Sequence, residues 1–309
     1  MYPLKVGIVG IGKIARDQHI PVLRADRAFK LEACASRHAQ VEGVANFASI
    51  ESMLDGCPDL DAVTICTPPQ IHYEAARLAL QRGKHVLLEK PPCATTAELS
   101  QLTLLANSRG CTLFQSWHSR HAAGVARARQ WLEGQNIQAV RVIWKEDVRK
   151  WHPGQTWLWQ AGGFGVFDPG INAISILTEI VPQAIFVGEA CLFIPNNCDA
   201  PIAADLVMST EAGAPISATF DFRHTGPQTW DIEVETGNGV LKLADGGSRL
   251  FVGGQLVPIE ERNNEYASLY RRFAQLVAAR ISEVDGRPFQ LVADAFLVGR
   301  RVTVDRFDD

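Results

Sequence analysis

The chain has 309 residues with 47% hydrophobic and 21% charged residues, the balance of an ordinary globular protein with apolar material for two cores. A net charge of -4 gives no basic surface for nucleic acid or an anionic membrane, and no uncharged apolar run approaches the ~20 residues of a membrane span. Seven cysteines, odd in number and without a C-x-x-C pair, argue against a disulfide frame or a zinc cage and for free thiols in a reducing cytoplasm, and no metal site is expected. Leu4 to Val9 opens an apolar strand with no basic segment before it, so no signal peptide is expected.

In chain order, short apolar runs predict strands at 4–9, 31–35, 61–66, 84–88 and 111–115. Near-continuous apolarity suits strands covered on both faces, as in a parallel sheet. Helices are predicted between them. Residues 71–82 place Ala75, Leu78 and Ala79 on one side; residues 96–108 do so with Leu99, Leu102 and Leu105, behind a Thr95/Glu98 capping box. Repeated β–α units predict a doubly wound sheet over residues 1–120. After a helix near 122–133 the pattern changes. Strands are predicted at 138–148, 187–194, 203–210, 215–223, 230–236 and 239–244, with helices at 169–180, 264–282 and 289–303. Residues 121–309 therefore read as a second, α+β domain with an open, largely antiparallel sheet; the last helix fits either domain.

Strand 4–9 runs into Gly10-Ile11-Gly12-Lys13-Ile14-Ala15, a G-x-G-x-x-A turn between a strand and a helix. Gly10 permits the tight turn, Gly12 lets the backbone approach a pyrophosphate, and Ala15 keeps helix and strand close. The helix start at Lys13 and Ile14 offers N–H groups to the phosphates. The first domain is thus expected to be a dinucleotide-binding Rossmann fold. The second strand ends in Ser36-Arg37-His38, where NAD readers usually carry an acid. Ser36 can donate a hydrogen bond and Arg37 can pair with a 2′-phosphate, so NADP is expected, with NAD used less well. The plain alternative for this tripeptide is a solvated turn.

Strand 84–88 ends in Glu89-Lys90-Pro91-Pro92. Ligands bind beyond the carboxyl ends of such strands, so Lys90 is expected to reach the cofactor cleft and take a proton there. Otherwise the pair is an exposed Glu beside a Lys. Together, the glycine turn, Cys66-Thr67-Pro68-Pro69 with His72, and Glu89-Lys90-Pro91 resemble the glucose–fructose oxidoreductase / inositol dehydrogenase (Gfo/Idh/MocA) family, in order and over the whole length. The resemblance implies that Lys90 is catalytic and that the Thr67-Pro68 loop lines the nicotinamide. It also implies a substrate-binding second domain whose open sheet packs against another subunit, making a homo-oligomer. Gly10, Gly12, Lys13, Ile14, Ser36, Arg37, His38, Thr67, Pro68, His72, Glu89 and Lys90 form the expected cofactor set.

Gly162-Gly163 through Asp168-Pro169-Gly170-Ile171-Asn172 resembles the family's substrate motif, with Asn172 where the family has His. With Trp144 to Arg149 and Trp151-His152-Pro153-Gly154, it resembles the bacterial L-arabinose / D-galactose 1-dehydrogenase subgroup. That resemblance implies a small sugar substrate surrounded by Lys90, Glu146, His152, Asp168 and Asn172, with Asn172 aiding catalysis. From the residues alone, Asp168 before Pro169 is equally a helix N-cap, and Asn172 groups with Ser175 and Glu179 on a polar side facing either water or a cleft. By period 2, Glu146 extends the apolar face of Val140, Val142 and Trp144. His152 can equally be a surface residue; His118 and Arg120 can border the cleft. The expected activity is NADP-dependent oxidation of C1 of a free pyranose. The alternatives are a redox-neutral glycosidase using bound cofactor and a dinucleotide-binding sensor without activity.

Overall fold

The computed structural model describes residues 2–259 and 264–308. The chain forms two compact units. One holds the chain up to Trp117 together with Tyr266–Gly286; the other holds His118–Glu265 and the chain from Arg287 onward.

In chain order the first unit runs β1 (Leu4–Val9), α1 (Ile20–Ala25), β2 (Phe29–Ala35), β3 (Ala45–Phe47), α2 (Ile50–Gly56), β4 (Ala62–Ile65), α3 (His72–Gln81), β5 (His85–Leu88), α4 (Thr96–Arg109) and β6 (Leu113–Gln115). The sheet order is β3-β2-β1-β4-β5-β6 and every pairing is parallel. The order reverses between β1 and β4, which makes the crevice there the expected ligand position of a doubly wound sheet. Register lines up the strand exits: Val9 pairs Ala35 and Ile65, Ile65 pairs Leu88, and Leu88 pairs Gln115. Gly10, Ser36, Cys66, Glu89 and Ser116 therefore leave the sheet at one level. The capping box of α4 forms, with Glu98 N–H on Thr95 Oγ1 and Thr95 N–H on the Glu98 carboxylate. That helix stops at Gly110, at φ 62°.

The helix Glu265–Ala279, which the residue pattern assigns to the second domain, belongs to the first unit from Tyr266 on. Its stripe of Leu269, Tyr270, Phe273 and Leu276 packs on Val6, Leu23, Phe29, Leu87 and Phe114. A parallel sheet needs both faces covered, and this late helix supplies part of the cover.

The second unit holds α5 (Val125–Leu132), β7 (Ile137–Lys145), α6 (Val148–Trp151) and α7 (Phe167–Ile180), then β8 (Ile185–Pro195), β9 (Ala203–Thr210), β10 (Pro215–Asp221), β11 (Thr229–Thr236), β12 (Gly239–Ala244), β13 (Arg249–Val252), β14 (Gln255–Leu256) and β15 (Arg300–Val304). Its sheet order is β14-β13-β12-β11-β7-β10-β9-β8-β15. Only β7–β10 and β8–β15 pair in parallel among these strands. Val140, Val142, Trp144, Ile216, Ala218 and Phe220 share the buried face. Helix α7 lies close on it: a Cβ on Gly170 would come within 2.9 Å of Phe220. The opposite face carries Arg141, Glu233 and Lys242 in one ion-paired row.

The final segment departs from the expected helix 289–303. A helix spans Arg287–Val298, packs in the second unit, and breaks at Gly299. A Cβ there would lie 2.4 Å from the Ala295 carbonyl oxygen. The β-branched run after it pairs with β8 as β15. Among the described residues no helix is long and apolar enough to cross a membrane.

Candidate active site

Gly10 sits at φ +87°, where a Cβ would lie 2.7 Å from Thr67 Cγ2 and 2.8 Å from the Thr67 nitrogen. The turn after β1 thus touches the loop after β4, and only glycine fits. Gly12 is different. It is exposed, and a Cβ there would meet nothing within 4 Å. No contact among the described residues requires glycine at this position, whereas close approach of a pyrophosphate does. Thr67 Oγ1 is buried and has no hydrogen-bond partner among the described residues. An open glycine turn at a helix start, beside an unsatisfied hydroxyl, fits a dinucleotide. The helix begins at Lys13, whose ammonium pairs with Asp17, and widens into a π-type turn over Ala15–His19. Ile14 is half-buried against the apolar cluster beneath the turn.

At the end of β2, the Ser36 N–H bonds the Phe47 carbonyl at 2.9 Å. Arg37 and His38 are exposed, and Arg37 has no ion-pair partner among the described residues. His72 is fully buried, its ring nitrogens 2.5 Å from the Thr67 carbonyl and 3.1 Å from the Pro92 carbonyl. It ties the loop after β4 to the loop after β5. Burial holds the imidazole below its ordinary pKa, opposed in part by those two carbonyls.

Glu89 is 3% exposed and accepts from Tyr266 Oη at 2.9 Å, His19 Nε2 at 3.0 Å and the Lys90 N–H at 2.7 Å. It is therefore a buried anchor. Lys90 beside it is half-buried, and the Lys90–Pro91 bond is cis. Burial, with Glu89 nearby, pushes the Cys66 thiol well up, so it stays neutral.

In the second unit, three of the expected residues converge. His152 Nε2 lies 3.3 Å from Glu146 Oε1, and its Nδ1 lies 3.5 Å from Asp168 Oδ2. Both carboxylates are 3% exposed. They sit at opposite ring nitrogens, so they do not converge on one point, and no metal-binding group occurs among the described residues. Glu146 follows β7 directly, with its N–H on the Asp221 carbonyl at 3.0 Å, and keeps the buried face that period 2 predicts. Trp230 Nε1 donates to Glu146 Oε2 at 2.8 Å. The Trp230 ring packs against Trp144 at 5.7 Å and Trp151 at 5.2 Å, and His152 packs against Phe222 at 5.4 Å. Buried acceptors beside aromatic rings are what a polyhydroxylated ligand with apolar C–H faces needs.

Asp168 is not the N-cap. Helix α7 begins one residue earlier, at Phe167, with Val166 at the cap and no capping side chain. The Asp168 carboxylate turns to His152, in the first helical turn where negative charge is favoured. Asn172 is half-buried one turn on. The polar side drawn through Asn172, Ser175 and Glu179 divides in the structure. Ser175 is fully buried with its hydroxyl on the Asn172 carbonyl at 2.7 Å, and Glu179 pairs with Arg129 at 2.8 Å and Arg120 at 3.6 Å. Arg120 also bonds the Ser175 carbonyl at 2.9 Å, so it fastens α7; His118 pairs with Glu265 at 2.6 Å. The residue pattern misses His19, Tyr266 and Trp230. Each is isolated in sequence from the residue it serves.

The family model of the Gfo/Idh/MocA oxidoreductases with an NAD-binding Rossmann fold matches residues 4–116. A galactose 1-dehydrogenase of Pseudomonas fluorescens is 45% identical over 309 residues, covering 100% of both chains. The crystal structure of a D-galactose-1-dehydrogenase from Rhizobium etli superposes with a TM-score of 0.95 at 53% identity, covering 100% of this chain and 99% of that one. A 3-ketoreductase from Actinomadura kijaniata, in complex with NADP, shares the fold with a TM-score of 0.84 at 20% identity, over 98% and 99% of the two chains. Full-length identity of this order, on a glycine turn open to a dinucleotide, settles the kinship: the chain is an oxidoreductase and belongs to the Gfo/Idh/MocA family.

Proposed function

We propose that this enzyme is an aldose 1-dehydrogenase that oxidises C1 of a free pyranose, such as D-galactose or L-arabinose, to the lactone, with NADP preferred over NAD. The observation that carries the reading is the 45% identity over the whole chain to a galactose 1-dehydrogenase. The half-buried His152 between the buried Glu146 and Asp168 carboxylates, beside Trp144, Trp151 and Trp230, supports a sugar ligand.

In this reading Gly10, Gly12, Lys13 and Ile14 receive the pyrophosphate, Ser36, Arg37 and His38 the 2′-phosphate, and Thr67 and Pro68 border the nicotinamide. The oxidised nicotinamide supplies the hydride acceptor. Lys90 takes the proton of the anomeric hydroxyl, directly or through water, as C1 becomes a carbonyl carbon. Asn172 orients that hydroxyl, because an amide does not titrate. Glu146, His152 and Asp168 read the remaining hydroxyls. D-Galactose and L-arabinose share their ring hydroxyl configuration and differ in the exocyclic CH₂OH, so one set of polar partners serves both. A misplaced hydroxyl leaves buried groups unpaired, which discriminates against epimers.

The test is an aldose panel assayed by NADPH and NADH absorbance. D-Galactose and L-arabinose should both be oxidised, with net reduced cofactor released, a lower KM for NADP, and D-glucose far slower. Equal rates with D-glucose and D-galactose would refute the substrate assignment, and equal KM values for the two cofactors would refute the preference.

A further inference from the structure

The group around Glu89 is built further than an anchor for one loop requires. Glu89 Oε1 accepts from His19 and Tyr266, while Oε2 accepts from the backbone N–H of Lys90. His19 is 0% exposed, and its Nδ1 lies 2.9 Å from Tyr270 Oη, itself 3.1 Å from Thr64 Oγ1. A carboxylate only accepts, so His19 Nε2 carries hydrogen. In a neutral imidazole Nδ1 then accepts, so Tyr270 donates to it and Thr64 donates to Tyr270. In that tautomer the hydrogen bonds run in one direction, from Thr64 through Tyr270 and His19 to Glu89. Burial pushes the Tyr270 phenol well up, with Cys66 and Glu89 adding to it, which keeps its proton in place. The rings hold the imidazole plane: Tyr266 and Tyr270 meet His19 edge-on at 4.9 Å and 5.7 Å.

Two features decide what such a chain does. Thr64 is fully buried in β4, so the end of the chain away from Lys90 lies in the core. And a buried charged group held by hydrogen bonds is weak stabilisation compared with an apolar replacement, so fold stability alone accounts poorly for it. We propose that Thr64, Tyr270, His19 and Tyr266 form a positioning device that fixes the Glu89 carboxylate, and through its bond to the Lys90 N–H fixes the direction in which the Lys90 side chain leaves the loop. This rests on the reading of Lys90 as proton acceptor. His19 is the central positioning residue, and it reaches the site because the widened turn Ala15–His19 ends on it.

The experiment uses the full-length enzyme with D-galactose and NADP, measuring kcat, KM, dinucleotide affinity by fluorescence titration, and Tm. His19→Ala should lower kcat roughly 10- to 100-fold, the scale of a small misplacement of a reacting group. KM and dinucleotide affinity should stay within about twofold. His19→Gln, which keeps an N–H donor, should recover part of the loss. In a Lys90→Ala background, His19→Ala should change the residual kcat by less than about twofold, since an absent amine cannot be misplaced. Tyr266→Phe removes one hydroxyl and should lower kcat several-fold in the same manner, which keeps the test available if His19→Ala fails to fold. Normal kcat in His19→Ala and Tyr266→Phe beside an inactive Lys90→Ala overturns the positioning proposal alone. Full additivity in the Lys90→Ala background does the same. Near-normal turnover in Lys90→Ala overturns the reading of Lys90 and the proposal with it.

Discussion

Replacing the two glycines of the first turn by alanine separates what the fold needs from what the ligand needs. At Gly10 a Cβ would lie 2.7 Å from Thr67 Cγ2, 2.8 Å from the Thr67 nitrogen and 2.9 Å from the Cys66 carbonyl carbon, at φ +87°. Two of those atoms are backbone and cannot swing aside. Left-handed backbone costs a non-glycine residue about 1–2 kcal/mol and overpacking about 1–3 kcal/mol more, so Gly10→Ala should destabilise by roughly 2–5 kcal/mol. At Gly12 a Cβ meets nothing within 4 Å and φ is not positive. Gly12→Ala should leave the unliganded protein as stable as the parent, or slightly more so through the unfolded chain. It should still weaken dinucleotide binding sharply, because the methyl occupies the space the backbone leaves for the pyrophosphate. Thermal unfolding without ligand and a fluorescence titration with NADP measure the two effects. A Tm loss in Gly12→Ala comparable to Gly10→Ala, or unchanged NADP affinity in Gly12→Ala, would refute the reasoning.

Arg37→Ala should raise KM for NADP by up to roughly 30-fold, the equivalent of about 2 kcal/mol for a solvent-facing charge pair, and leave NAD use nearly unchanged; equal losses with both cofactors rule out a 2′-phosphate role. Lys90→Ala should cut turnover roughly 10²–10⁴-fold with little change in NADP affinity, and Asn172→Ala should cost less; the reverse ranking would move the proton transfer away from Lys90. His72 supplies a stability test against pH. Its folded pKa lies below the ordinary 6.5 because of burial. The unfolded chain therefore binds a proton that the folded chain resists, so this stability is present above pH 6.5 and lost as pH falls through the depressed folded value. The urea midpoint should decline from about pH 7 to pH 5, and His72→Gln should flatten the decline; an unchanged slope would assign it to another group.

The residues that announce themselves in sequence act through contiguous neighbours. Gly10 and Gly12 open a turn directly after a strand, Thr95 and Glu98 cap the helix they begin, and Glu89-Lys90-Pro91 follows a strand whose exit level is set by parallel pairing. Glu146 is legible by alternation along β7, since the pleat alone assigns its face. Tertiary structure decides the rest, because the partners come from far along the chain. Nothing in the sequence around His19 points to Glu89, 70 residues on, and nothing around Tyr266 points to the same carboxylate, 177 residues back. The helix Glu265–Ala279 has an apolar stripe that any sheet could cover, and only packing shows that it closes the parallel sheet. Asp168 before Pro169 reads as a cap by local rules. Its carboxylate instead meets a histidine from another segment, and an imidazole between two buried carboxylates is a contact that no local pattern encodes.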